Sequence, residues 1–535
     1  DATPSKPLDN ISPAAIWIVK GVGLGAHIPE LLTHADRWEE LLIIEPSLER
    51  FLYLCHFVDL SGILNLPQIE WVFFRDGEDL PIQLQTAIYR RERIRKIRSA
   101  TFISTRVSET LKSSFEFVEA QWYSVCDAAT SSQGTWSDTA FGLKNIVGNT
   151  NRIQKTPGID RLENMFSDRP ALICSTGPSL HASLPRIKEA ADKCIIIAAD
   201  ASLKILLDAG IRPHFVCTLE RDEESKPFFS EIHWNEINGF RPHLVSYPLV
   251  SPSVLAAFEG PQWISYRTHA LFGHLQATTP RGVLASGHSV SHLCTRLADH
   301  LGCTEIVLVG QDLSFDPKTF ASHSKGIAYP GWALSKSEDE RRALLKEGGE
   351  EFYWGIGNTE ERVPTSTFYV IFAREFSLML PQLRAPIFNA TEGGLRIPNM
   401  PWISLTEKVK SWKGQSSVEK ELDELHERST QTLKPSADLW ASAKPEAQKI
   451  LKVLSSQTIN ANTIEKCREE HSSIAEDPIA YSISGHLLGQ RFIQLENEWA
   501  CLARENASAQ KKIEFLQRWN SEVKEVVQGF LDLVG

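Results

Sequence analysis

Leu172-Ile173-Cys174-Ser175-Thr176-Gly177-Pro178-Ser179-Leu180 is the stretch on which the fold turns. Apolar Ala171–Cys174 reads as a buried strand, the small residues after it as a turn, and the segment beyond Ser179 as a helix. Ser183 is a candidate N-cap for that helix, with Pro185 in its first turn. Gly177 would let backbone approach a ligand closely, and a helix start would offer unpaired N–H groups to an anion. The loop has no P-loop lysine, so phosphate would be held by backbone and hydroxyl donors. An ordinary strand-to-helix turn has the same appearance.

Downstream, candidate strands at Cys194–Ala198, Phe215–Leu219, His243–Tyr247, Trp263–Tyr266 and Glu305–Val309 alternate with helical stretches. This is the mark of a parallel α/β domain, and the Ile- and Val-rich runs suit a sheet covered on both faces. Val283-Leu284-Ala285-Ser286-Gly287-His288-Ser289-Val290 repeats the logic of the first loop. It precedes a helix with apolar positions at Val290, Leu293, Leu297 and Leu301, which Gly302 ends. The next strand delivers Gly310-Gln311-Asp312-Leu313 at its C-terminal end, and Asp200 and Glu220 also fall at strand ends. Ligands of open α/β sheets gather outside the carboxyl ends of the strands. Four strands would therefore point polar groups at one rim.

Upstream, Ala15–Val19, Leu41–Glu45 and Trp71–Phe74 read as strands of a separate domain. Gly21, Gly23 and Gly25 follow the first of these, and Glu45 ends the second about 20 residues on, the spacing of a dinucleotide or methyl-donor site. The third glycine comes one residue early for that motif. After Thr406 strand signals vanish, and Leu487–Cys501 and Ile513–Leu533 carry apolar residues at helical spacing, with a break at Asp477-Pro478. The expected segments are 1–125, a helical linker with loops over 126–168, a central domain over 169–406 and a helical domain over 407–535.

A net charge of −11 excludes a broad electrostatic grip on nucleic acid. The basic run Arg90–Arg98 reads as a solvated helix face or as a docking patch for an acidic partner. Nine scattered cysteines without zinc-ligand spacing suit a reducing compartment, and no apolar stretch reaches the length of a membrane span. The chain reads as cytoplasmic, without a membrane or nucleic-acid partner, and as trimmed at its beginning because no Met precedes Asp1.

Several of these motifs carry a resemblance. Ser175–Leu180, then Ala198-Ala199-Asp200-Ala201-Ser202-Leu203, then Leu207–Glu220 resemble the core of the motility-associated factor (Maf) flagellin glycosyltransferases. Ser286–Val290 with Leu301–Phe315 looks like the family's second hallmark, and Asn389-Ala390-Thr391-Glu392-Gly393-Gly394 its third. The central part is also distantly similar to bacterial sialyltransferases. The resemblance implies an α/β chain with a Rossmann-like N-terminal accessory domain, a central sialyltransferase-like domain and a C-terminal helical bundle. It implies transfer of a nonulosonic acid of the pseudaminic or legionaminic type, from a CMP-activated donor to Ser or Thr hydroxyls of flagellin. The chain departs from the family in having Glu220 where many members have Asp, and in a longer interval between Asp312 and His323.

Such a displacement has oxocarbenium character, so the departing phosphate needs stabilisation and the acceptor hydroxyl needs a base. Ser175, Thr176, Gly177, Pro178 and Ser179 would serve the nucleotide at the first helix start, and Ser286, Gly287, His288 and Ser289 at the second. His323 is the candidate base, with His288 its rival, and Tyr329 a candidate donor to the leaving phosphate. Asp312 is the second candidate catalytic residue; with Asp200, Ser202, Glu220, Gly310 and Gln311 it would orient donor groups, and Asp312 and Asp200 are the candidate ligands should Mg²⁺ take part. Asn389, Thr391 and Glu392 would sit on a turn near the rim. A capping role is the structural alternative for each serine and for Asp312. Two other functions compete: a pterin diphosphokinase, because an archaeal one is similar through the same loops, and a non-catalytic flagellin-binding protein.

Overall fold

The computed structural model describes the chain except for residues 1–3, 5–6, 24, 26, 65, 75–79, 106–111, 132–135, 238, 269, 328–336, 338, 341–342, 344–351, 435–437, 442, 477–494 and 504–506. Tyr329 and the Asp477-Pro478 break lie outside the described residues. The chain divides into two compact units, one of Asp1–Ala140 with Ser442–Gly535, the other of Phe141–Ala441.

In the first unit β1 (Ala14–Lys20), β2 (Trp38–Glu45), β3 (Ile69–Phe73) and β4 (Ala100–Ser104) form a parallel sheet in the order β3-β2-β1-β4. Alternation along β1 sends Ile16 and Ile18 into one apolar cluster with Leu84 and Trp122, and Trp17 and Val19 into another with Ile28 and Leu31. Both faces are thus covered, as a parallel sheet requires. β4 was not expected, because Ala-Thr-Phe-Ile-Ser mixes polar and apolar residues directly after the basic run. Part of that run is engaged within the unit. Arg93 is fully buried and pairs with Glu40 at 3.1 Å and Glu70 at 3.2 Å, while Lys96 reaches Glu39 at 2.6 Å. The helices Ala443–Ser456, Ile464–Glu476 and Ala509–Val534 complete this unit. The last buries Phe515, Leu516, Trp519, Val523, Val527 and Phe530 along one stripe.

The second unit is built on β5 (Ala171–Cys174), β6 (Ile195–Ala199), β7 (Phe215–Thr218), β8 (His243–Ser246), β9 (Gln262–Ile264), β10 (Ile306–Val309) and β13 (Ile387–Asn389), with a short antiparallel hairpin of β11 (Phe352–Ile356) and β12 (Arg362–Ser366). The seven-stranded sheet is parallel, in the order β13-β10-β5-β6-β7-β8-β9. Six of these strands match expectation to within a residue or two at their ends; β13, three residues long, does not announce itself by periodicity. After β9 the chain returns to place β10 on the far side of β5. This creates a switch point where the β5 and β10 loops emerge side by side, the usual seat of a ligand.

Helices fill the segment expected as a linker: Trp136–Gly148 and Thr150–Lys155, with Ile159–Leu162 as a 3₁₀ turn. Asn145 and Asn149 hold the carbonyls of Arg221, Pro248, Leu249 and Val250, so this segment braces the loops beyond β7 and β8. The helix Glu419–Gln431 also belongs here, with His426 against Trp263 and Asp423 on His243. One local expectation needs correction. The helix after β5 runs Leu180–Ala190 with Ser179 at its N-cap, so Ser183 is buried within it and Pro185 lies inside rather than in a first turn. The turn at Gly177 starts the helix one turn earlier than the serine pattern indicates.

Candidate active site

A cavity of about 540 Å³ opens at the carboxyl ends of β5, β6 and β7. Thr176, Asp200 and Glu220 come to it from the three strand ends. His288, Ser289 and Ser291 enter from the second helix start, and Phe315 and His323 from the loop beyond β10. Phe368, Tyr369 and Phe372 line it from the helix Thr367–Met379. Asp222 and Glu224 extend the edge that Glu220 begins.

Other predicted site residues build the rim from behind. Asp312 is buried and accepts from the backbone N–H of Ser179 at 3.1 Å and from its hydroxyl at 2.8 Å. One N–H at the first helix start is therefore taken by a carboxylate of the protein, where a substrate phosphate was expected. Burial pushes the Asp312 carboxyl up to about 7 against the lowering effect of those two bonds. Gly177 packs against this pair: a Cβ there would lie 1.9 Å from Asp312 Oδ2 and 2.6 Å from the Gly310 carbonyl. Its role is close backbone packing rather than ligand approach. Gly310 adopts φ +65° beside the Ser175 carbonyl.

Ser175 hydrogen-bonds Ser291 Oγ at 2.8 Å and Gln311 Oε1 at 2.7 Å, and the Gln311 N–H donates to Thr391 Oγ1. Ser202 donates within reach of the Cys174 and Ala199 carbonyls, and Asn389 Oδ1 receives the Thr391 N–H. Ser175, Ser202, Gln311, Asn389 and Thr391 are buried. Pro178 lies in the turn between them, and Glu392 is exposed. None of the seven lines the cavity. Asp200 does, while accepting from Thr218 Oγ1 at 2.7 Å and from the Ala201 N–H at 2.8 Å; burial raises it to about 6 despite both bonds.

At the second helix, Ser289 is the N-cap of Val290–His300. Its hydroxyl accepts from the Ser291 N–H, and its own N–H donates to His292 Nδ1 at 3.1 Å. Ser286 receives the Tyr247 hydroxyl at 2.8 Å. Replacing Ser289 by Ala is expected to cost about 1 kcal/mol of stability, the usual worth of such a cap, measurable as a shifted urea midpoint. His323 is half-buried beside Ser322, its Nδ1 2.8 Å from the hydroxyl, and burial lowers it to about 4. As Mg²⁺ ligands Asp200 and Asp312 fit poorly, since each spends its oxygens on protein donors. Among the described residues no cluster of His, Cys, Asp or Glu could hold a metal ion.

Residues 144–318 match a family described as 6-hydroxymethylpterin diphosphokinase MptE-like. A solved structure, the Maf glycosyltransferase from Magnetospirillum magneticum AMB-1, superimposes with a TM-score of 0.61 at 17% identity, covering 98% of this chain and 79% of that one. The chain has the Maf glycosyltransferase fold. No curated protein matches it significantly by sequence.

Within this Maf fold, sequence reasoning missed the helix Thr367–Met379. Ser366 caps it, and Tyr369, Phe372 and Phe376 recur at three-and-four spacing, which was the available signal. It brings an aromatic wall to the cavity and places Glu375 against His288: the Glu375 carboxylate bonds the ring Nδ1 and accepts from the His288 backbone N–H at 3.0 Å. In the first unit the glycine loop after β1 does have the required backbone, with positive φ at Gly21, Gly23 and Gly25. However, buried Glu45 accepts from Val22 N at 3.0 Å and Ser47 N at 3.1 Å and pairs with Arg50. The carboxylate that a cofactor ribose would need instead closes the loop on itself.

Proposed function

We propose that this protein is a glycosyltransferase that moves a nonulosonic acid, of the pseudaminic or legionaminic type, from a CMP-activated donor to Ser or Thr hydroxyls of flagellin in the cytoplasm. The observation that carries the proposal is the cavity at the β5–β7 rim, with an aromatic wall on one side and strand-end polar groups on the other. The Maf fold over almost the whole chain supports the reaction class, and the motifs shared with Maf flagellin glycosyltransferases support donor and acceptor. The finer division into 1–125, 126–168 and 169–406 belongs to the same proposal, with the helices expected over 407–535 shared between the two compact units. Among the described residues no helix is long and apolar enough to cross a membrane.

In this mechanism the aromatic side chains take the cytosine face, and Thr176 and Ser289 offer hydroxyls to the phosphate. Asp200, Glu220 and Asp222 accept from sugar hydroxyls. Donors fixed by the fold stabilise the departing phosphate without reorganising. Asp312 acts at one remove, by fixing Ser179 and the turn that presents Thr176.

The test is CMP release from a panel of CMP-sugars by the purified full chain, with and without flagellin. Phe368 is 61% exposed on the cavity wall. Phe368→Ala is expected to weaken CMP binding by about 1–3 kcal/mol, the usual worth of one stacked base, at unchanged stability. Calorimetry giving wild-type affinity for this variant would remove the base from that wall. The family match at 144–318 supports a second reading, diphosphoryl transfer to a pterin. ATP binding with AMP release on adding a hydroxymethylpterin would select it over glycosyl transfer.

A further inference from the structure

The helix start at Ser289 and the helix Thr367–Met379 bring together a pair of side chains 87 residues apart in sequence. Glu375 holds His288 at two points, the ring Nδ1 and the backbone N–H. Gly287 makes room for this grip, because a Cβ there would stand 2.6 Å from Glu375 Oε2 and 2.8 Å from His292 Nδ1. A second imidazole, His292, comes within 3.4 Å of the same carboxylate. His292 is fully buried, however, with Nδ1 receiving the Ser289 N–H and Nε2 at 3.1 Å from the Phe372 carbonyl. That pattern fits a neutral ring protonated on Nε2, so His292 does not neutralise Glu375. The carboxylate lies below the usual range although burial alone would raise it, because the ring and the backbone N–H of His288 both hydrogen-bond it.

The consequence falls on His288. An ionised Glu375 on Nδ1 selects the tautomer that carries its proton there, and leaves Nε2 with a lone pair on a ring that lines the cavity. A nucleophile-activating base held by a third group has this same geometry in unrelated hydrolases. His323, the other histidine at the cavity, has a serine hydroxyl at its Nδ1 in place of a carboxylate.

We infer that His288 is the base that activates the acceptor hydroxyl and that Glu375 is its positioning residue; this rests on the glycosyltransferase reading above. In the step, the acceptor oxygen forms a bond to the anomeric carbon as its proton passes to His288 Nε2. The bond from that carbon to the donor phosphate oxygen breaks, and its electron pair leaves with CMP.

The test uses the full chain, CMP-nonulosonic acids and flagellin. His288→Ala is expected to slow transfer by about 10²–10⁴-fold, the usual worth of a positioned base, with CMP affinity unchanged. Added imidazole should restore part of that loss in His288→Ala and none in His323→Ala. Glu375→Gln should lower kcat while leaving the KM of the donor unchanged. The double variant His288→Ala/Glu375→Gln should be no slower than His288→Ala, since a positioning residue has nothing left to position. A purely structural Glu375 would instead slow the double variant further, which overturns its role. Wild-type protein that transfers sugar while His288→Ala keeps its full rate overturns the base assignment alone. Wild-type protein inactive with every donor overturns the glycosyltransferase reading itself.

Discussion

Gly177→Val is expected to destabilise the central unit by about 1.5–5 kcal/mol: about 1–3 for forcing side-chain atoms into a filled site, and about 0.5–2 for the helix-start bond it displaces. A first added carbon already lies 1.9 Å from the Asp312 carboxylate and 2.6 Å from the Gly310 carbonyl. Relief requires Asp312 to leave Ser179, which strands a buried carboxylate and reopens the first helix N-terminus. Gly310, at φ +65° against the Ser175 carbonyl, has little room to retreat. Sequence alone points to a different phenotype for this substitution, lost nucleotide binding on an intact fold. Urea denaturation of the two proteins separates these outcomes: a wild-type midpoint in Gly177→Val would mean that the glycine serves a ligand and not the packing of the turn.

Asp312→Asn is expected to change the pH dependence of stability by up to about 4 kcal/mol. The wild-type carboxyl moves from its ordinary 3.8 to about 7 on folding, chiefly by burial, and a pKa rise of about 3 at about 1.36 kcal/mol for each whole step gives that figure. The sign follows from which state holds the proton more tightly. A raised folded pKa means that the Asp312 contribution is fully present below about pH 4 and is lost as pH climbs towards about 7, where the buried group must ionise. Asparagine has no charge to bury, so its stability relative to wild type should increase across that window and level off above it. Denaturation midpoints of both proteins from about pH 4 to about pH 8 measure the difference. A constant difference would show that Asp312 is ionised throughout and that its two Ser179 bonds outweigh the cost of burial. Asp200, raised to about 6, should add a smaller slope of the same sign to both proteins.

Much of this architecture is local and was legible from the chain. Ile195–Ala199 and Ile306–Val309 are strands because short Ile- and Val-rich runs between helical stretches have few other ways to bury both faces. The stripe Phe515–Phe530 follows from helical periodicity. Gly302 ends its helix at φ +78°, as a residue without Cβ can. The convergence of the β5, β6 and β7 loops at one rim was also legible, because parallel strands place all their carboxyl ends on one side.

What the sequence determined by itself was thus which segments are strands and helices, and that polar loops gather at the carboxyl edge of a parallel sheet. Which of those polar residues face the cavity was decided only by the tertiary structure. Ser175 and Thr176 are neighbours in one loop, yet Ser175 is bonded to Ser291 and Gln311 while Thr176 lines the cavity. Asp312 reaches Ser179 across 133 residues, and Glu375 reaches His288 across 87. Neither pair leaves a periodicity or spacing in the chain, because its geometry depends on sheet order and helix packing. The physical reason is that secondary structure answers to local sterics and the spacing of apolar residues. Whether a buried polar group binds a ligand or caps a helix depends on which partner the fold brings within hydrogen-bonding distance.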